Sequence, residues 1–269
     1  MEFYMDTCDI ILNKKSDRNT ILSEISSKLS LDEEPDAVLS SAEEFLKSIS
    51  KPLSINLYIS NDDLENETIN EAVSMFTNIS LNRSEVLLEI KEDEFLNIID
   101  ENGNLTHKSK PRTLIHEDGD LHPTSHVWIL KTTDISVYVL LQKRAACKEL
   151  HPNCYDVSAA GHVTEGGEYR KSAVRELYEE LGIKSELKQL EFIGMHSSEY
   201  KSEKYWDREL TAVYIYHHPV DLSKLVLQES EVAEVCWVDL DECLAMIDSP
   251  QFKHCISKDE LFMVKKAVL

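Results

Sequence analysis

Residues 161–183 read GHVTEGGEYRKSAVRELYEELGI, a glycine-rich loop running into a helix-forming segment. The helix is predicted from Glu168 to Leu181, with Val174, Leu177 and Leu181 as its apolar stripe and Gly182 placed to cap its end. Glu176, Glu179 and Glu180 fall at i, i+3 and i+4, which are neighbours on a helix surface. Three carboxylates held that close repel one another unless a cation lies among them. Oxygen ligands of this kind suit Mg²⁺ or Mn²⁺, ions that also bind diphosphates. Arg175, four residues before Glu179, can pair with it. In an acidic chain a solvated surface helix is the default for any lone Glu-Glu pair, Glu43-Glu44 included. Gly161, Gly166 and Gly167 argue against that default here, because they let backbone approach a phosphate or a metal-bound ligand.

Around this stretch, the 269-residue chain has room for one large domain or two smaller ones. Its formal charge of −22, with no basic stripe to offset it, argues against nucleic-acid or anionic-membrane partners. No stretch approaches the length of a membrane span. An acidic protein that takes up a diphosphate needs local positive charge, which a bound divalent ion would supply. Cysteines at 8, 147, 154, 236, 243 and 255 form no CxxC pair, and nothing at the start resembles a secretory signal. A reduced, cytoplasmic setting with buried thiols is expected.

Glycine usage marks a boundary, since none precedes Gly103. The first ninety residues carry 18 acidic and 7 basic side chains and are expected to form a separate module, 1–90, ahead of a larger domain, 91–269. In the module, helices are predicted over Asn19 to Leu29 and Ala37 to Ile49, the second with Leu39, Phe45, Leu46 and Ile49 inward. A loop at Leu31 to Pro35 separates them. A strand at Leu53 to Ser60, a helix at Thr68 to Ile79 and a strand at Ser84 to Ile90 complete a small α/β unit without a catalytic signature. A partner protein or a second copy of the chain would be met through this module.

In the larger domain, strands are predicted at Phe95 to Ile99, His126 to Lys131, Val137 to Lys143, Tyr155 to Ala160, Leu190 to His196, Glu209 to His217 and Val232 to Val238. Asp100 to Asn104 reads as a hairpin turn. Helices are expected at Leu240 to Ile247 and Lys258 to Val268. Strands interspersed with helices and hairpins argue for an α+β domain with a mixed sheet.

The 161–183 stretch resembles the Nudix box, GX5EX7REUXEEXGU, where U is a bulky apolar residue. Gly161, Arg175-Glu176-Leu177, Glu179-Glu180 and Gly182-Ile183 fall in register. One position departs: the first glutamate of the box falls on Gly167, and the nearest acid, Glu168, is one place late. The resemblance implies an α/β/α sandwich and hydrolysis of a nucleoside diphosphate linked to another moiety. Glu176, Glu179 and Glu180 would bind Mg²⁺ or Mn²⁺, and Arg175 would hold a glutamate in place.

KPRTLIHEDGDLHPTSHVWIL, VLLQKRAACKELHPNCYDVSAAGHV and QESEVAEVCWVDLDE look like the isopentenyl-diphosphate isomerase-like branch of Nudix proteins. The isomerases need a cysteine just before the Gly-His pair, and that place falls on Ala160, which cannot transfer a proton. His116, His122 and His162 fall near the histidines of that branch's metal site, and Asp207 and Glu209 near its acids. Each lone histidine reads more simply as a hydrogen-bonded loop or strand residue. As a group with two acids they could form a transition-metal site. Glu209 alternates with Thr211 and Val213, which can turn it to a cleft. Lys143 and Arg144 stand at a strand end where a phosphate could meet them, though a solvated strand end is more common. Three readings stay open: a metal-dependent hydrolase acting on a small diphosphate, a diphosphate isomerase, and a non-catalytic diphosphate-binding sensor.

Overall fold

A computed structural model describes residues 6–12, 18–31, 37–49, 53–60, 66–83, 86–203 and 205–269. The chain divides into two compact units, the first from the described residues through Phe95 together with Lys110–Leu114, the second from Leu96–Ser109 and Ile115–Leu269.

The first unit runs β1 (Asp6–Leu12), α1 (Arg18–Lys28), α2 (Val38–Ser48), β2 (Leu53–Ser60), α3 (Glu67–Asn82) and β3 (Val86–Asp93). Its three strands pair in the order β1-β2-β3, all parallel, so helices must carry the crossovers. Asn66 starts α3 by accepting hydrogen bonds from the amides of Thr68 and Ile69. Ile10 and Leu12, Ile21, Leu22 and Ile25, Ile55 and Leu57, and Ile69 and Phe76 form its core. One strand was not foreseen and one expectation needs correction. β1 was hidden by the charged, broken pattern of the first residues. Leu46 is buried and Leu39 and Ile49 pack against the core as expected, but Phe45 lies 38% exposed, and Val38 and Ala42 complete the buried face of α2. Most of the loop expected at Leu31 to Pro35 lies outside the described residues.

Next in the chain come a hairpin of β4 (Phe95–Ile99) and β5 (Leu105–Pro111), closed by Asp100–Asn104, and the short helix α4 (Arg112–Asp118), of which Leu96–Ser109 and Ile115 onward belong to the second unit. The polar run of β5 gave no strand signal. There follow β6 (His122–Thr132), β7 (Val137–Arg144), β8 (Tyr155–Asp156), β9 (Ala159–His162), α5 (Tyr169–Leu181), β10 (Leu190–Lys201), β11 (Trp206–Tyr216), β12 (Val232–Asp239), α6 (Leu240–Met246) and α7 (Lys258–Ala267). The main sheet has the order β10-β11-β6-β7-β12. β11 runs parallel to β6 and the other pairs are antiparallel, so the sheet is mixed.

Both faces of this sheet are covered, which explains why the middle of β6 is apolar without alternation. Val127 and Ile129 join Ala212, Tyr214 and the Ala173, Leu177 and Leu181 stripe of α5 in one core, with the expected Val174 only half-buried against it. Trp128 and Leu130 point the other way, to Val213, Ile215 and the α6–α7 side chains Leu240, Cys243, Leu261 and Val264. The result is an α/β/α sandwich. All six cysteines are free thiols, but only Cys243 is buried and Cys147 is exposed, which corrects the expectation of six buried thiols. Among the described residues no helix is long and apolar enough to cross a membrane.

Candidate active site

The site forms where the sheet splits. β6 and β7 pair only from Leu130↔Val139 to Thr132↔Val137. Beyond that point β6 pairs with β9 and β7 with β8. The stretch read as one strand, Tyr155 to Ala160, is therefore two short strands on opposite arms of a fork. Ser158, between them, ties the arms together: the Ile129 amide donates to its Oγ at 2.8 Å, and Oγ donates to the Leu140 carbonyl at 2.5 Å.

Helix α5 sends two carboxylates into this fork. Glu176 and Glu180 are 8% and 5% exposed, one helical turn apart, on the buried side with Ala173 and Leu177. Glu180 Oε2 accepts from the Ala160 amide at 3.1 Å and from Gln142 Nε2 at 3.4 Å, so it bridges the two arms. Burial, and then the Glu176 carboxylate, push Glu180 well above the ordinary carboxylate value, against the pull of the Ala160 N–H. Glu176 lies against Gly161 so closely that a Cβ there would meet Glu176 Oε1 at 2.0 Å. Glu179 is turned outward and exposed, so the three glutamates do not make one patch. Arg175 links them: Nη2 lies 2.6 Å from Glu176 Oε1, Nη1 lies 2.8 Å from Glu179 Oε2, and Nη2 donates to the His162 carbonyl at 3.1 Å.

A second cluster lies along the ends of β6, β9 and β11. One nitrogen from each of His116, His122 and His162 lies within 4.8 Å of the other two, and His122, Asp207 and Glu209 form an overlapping set. His122 is fully buried and its Nδ1 is 3.0 Å from the Asp120 carbonyl, which leaves Nε2 facing Asp207 Oδ1 at 3.4 Å. A histidine fixed through one nitrogen presents the other as a lone-pair donor. The sequence pattern thus brings together His116, His122, His162, Asp207 and Glu209, and their mixed N/O donor set suits a divalent ion. Tyr205 stacks on His116 with ring centroids 4.4 Å apart.

Lys143 and Arg144 end β7 as expected, but each is already engaged. Lys143 is 3.1 Å from Glu234, and Arg144 is 3.0 Å from the buried Asp156. Burial alone would raise Asp156, yet Arg144 and His126 hold it below its usual value. The sequence reading did not single out His126, Gln142, Asp156 or Glu260. His126 Nδ1 is 2.9 Å from Glu260 Oε2, and Trp128 Nε1 donates to Glu260 Oε1 at 2.7 Å. The shared parity of His126 and Trp128 on one strand was visible, but no local signal connects them to a helix 132 residues away.

The sequence profile of the NUDIX domain family matches residues 120–257, the segment that holds the fork, α5 and most of both clusters. The chain belongs to the Nudix family. An uncharacterized Nudix hydrolase of Clostridium acetobutylicum is 37% identical over 158 residues, covering 59% of this chain and 76% of that protein. One from Listeria innocua is 33% identical over 170 residues, covering 63% and 94%. Nudix hydrolase 3 of Arabidopsis thaliana is 36% identical over 154 residues, covering 56% of this chain and 20% of that longer protein. This Nudix protein is a pyrophosphohydrolase, an enzyme acting on acid anhydrides in phosphorus-containing substrates.

The geometry also accounts for the one departure from the Nudix box. The Gly167 amide donates to the Thr164 carbonyl at 2.8 Å, closing a turn in which Gly166 has φ +70°. A Cβ at 167 would come within 2.9 Å of that carbonyl. Glu168 does not take over the lost role, because it points to solvent beside Lys171 at 2.8 Å. Asn97 of β4 anchors the loop instead, donating to the Thr164 carbonyl at 2.8 Å and accepting from the Gly166 amide at 3.4 Å.

Proposed function

We propose that this Nudix protein is a Mg²⁺- or Mn²⁺-dependent hydrolase of the isopentenyl-diphosphate isomerase-like branch. Its substrate would be a nucleoside diphosphate derivative or a related small diphosphate, cleaved at the phosphoanhydride. The observation that carries this reading is the pair Glu176 and Glu180, buried side by side at the fork with Gly161 cut back to make room. Arg175 already pairs with Glu176, and a divalent ion shared by both carboxylates would turn the remaining cost of burying them into affinity.

Divalent ions bound there would neutralise phosphate oxygens and lower the pKa of a bound water. The chain's own residues set the geometry. Gln142 and the Ala160 amide fix the orientation of Glu180. Arg175 holds Glu176 and Glu179 and ties α5 to β9 through the His162 carbonyl. His116, His122 and His162 with Asp207 and Glu209 would hold a further ion at the other end of β9. Lys143 and Arg144 would reach a phosphate only by releasing Glu234 and Asp156.

The histidine–carboxylate cluster favours a second reading, a diphosphate isomerase. Ala160 weighs against it, because a methyl group moves no proton. Incubation with isopentenyl diphosphate, ADP-ribose and nucleoside triphosphates in Mg²⁺ or Mn²⁺, scored for phosphate release and for double-bond shift, separates the two. Phosphate or phosphate-ester release that E180Q reduces at least about 100-fold is expected. Isomer formation without release would favour the second reading, and release unaffected by E180Q would overturn the roles given to the glutamates.

A further inference from the structure

His126 lies outside the Nudix box and outside the metal-type cluster, yet it is held with more care than a core histidine needs. Its Nδ1 contacts both oxygens of Glu260, at 3.1 and 2.9 Å. Glu260 is only 1% exposed and also takes the indole N–H of Trp128, so α7 buries a carboxylate to fix this one ring. The His126 side chain is 18% exposed. Since its Nδ1 edge faces a buried carboxylate, the accessible edge is the one carrying Nε2. Directly across the β6–β9 ladder stands Ala160, whose amide holds Glu180. Cross-strand partners sit about 5 Å apart, so only a methyl group neighbours the ring on that side. On its other sides His126 faces the charges of Glu209 on β11 and Asp156 on β8, the latter engaged by Arg144.

We propose that His126 is a substrate-contacting residue of the hydrolase, donating from Nε2 to a phosphate oxygen of the diphosphate, with Glu260 as its positioning residue. This rests on the diphosphate reading above. Burial alone would lower the His126 pKa, but the charge of Glu260 and its hydrogen bond raise it to about 9, so the ring is a charged donor at neutral pH. Charge-assisted hydrogen bonds to phosphate are about twice as strong as neutral ones.

Two variants separate contact from mere support. An asparagine amide can replace Nδ1 and keep the Glu260 contact while removing the Nε2 donor. A glutamine amide reaches the Nε2 position while giving up Glu260. Binding of imidodiphosphate in excess Mg²⁺ is measured by calorimetry on the full chain, alongside melting temperature. H126N keeps a hydrogen bond to Glu260 but loses the charge, so it is expected to melt below the wild type and to bind about 10-fold more weakly, and H126Q to melt lower still but bind more tightly than H126N. Unchanged binding by H126N, or the reverse order of the two variants, overturns the proposal. A wild type that binds no imidodiphosphate removes the diphosphate reading itself. Should either variant fail to fold, the wild-type crystal complex with Mg²⁺ and imidodiphosphate decides: a phosphate oxygen within hydrogen-bond distance of Nε2 supports the contact, and phosphates bound elsewhere exclude it.

Discussion

Gly161 shows how closely the site is built. Any side chain there would occupy the place of the Glu176 carboxylate, 2.0 Å from where a Cβ would lie. G161A is therefore expected to displace Glu176 and cut turnover at least about 100-fold, since small misplacements at a reacting centre cost that much; steady-state kinetics would check it. Glu180 makes the complementary case. Its charge is disfavoured by burial and by Glu176, so E180Q should stabilise the metal-free protein while reducing the rise in melting temperature on adding Mg²⁺. Thermal melts of both proteins with EDTA and with Mg²⁺ test this; lower metal-free stability for E180Q would contradict it. The carboxylates and the cluster histidines were legible in the sequence because their spacing carries chemistry. The outward turn of Glu179 was not, because helical spacing alone cannot say which of three neighbours faces the sheet. Nor was Asn97, whose anchoring of the glycine turn depends on a hairpin 67 residues away.

Among the elements, the strands of the main sheet and α5 announced themselves through apolar runs and the Gly182 cap, which adopts φ +71°. β5 and β1 did not, since polar and charged residues interrupt them. The fork was invisible because a two-residue strand and a four-residue strand in succession read as one. Ser158 holds the fork together, and S158A is expected to cost about 1–3 kcal/mol by leaving the Ile129 amide and the Leu140 carbonyl less well satisfied. Chemical denaturation would measure that loss. Helix α7 is joined to β6 by the His126–Glu260 pair, and this gives its stability a pH signature. The folded-state pKa of His126 is raised, so its contribution is fully present below pH 6.5 and lost as pH rises through about 9. The wild type should lose more stability across that window than E260Q. Parallel losses for the two proteins would show that the pair does not carry the effect.

Over the whole molecule, a chain with net charge −22 concentrates buried carboxylates at one end of one sheet. Self-repulsion of that kind is tolerable where divalent cations are bound, and under the proposed function metal would link stability to catalysis. A ligand at 100 times its Kd stabilises the folded state by about 2.7 kcal/mol, enough to see as a clear shift in melting temperature. The first unit has its own core and lies before the Nudix match, which falls wholly within the second. Glu176 and Glu180 are the proposed grip on the cations. Anomalous diffraction from crystals grown with Mn²⁺ tests it most directly. Manganese peaks within about 2.0–2.4 Å of both carboxylates are predicted, and a fork in which the two side chains contact only protein and water would contradict it.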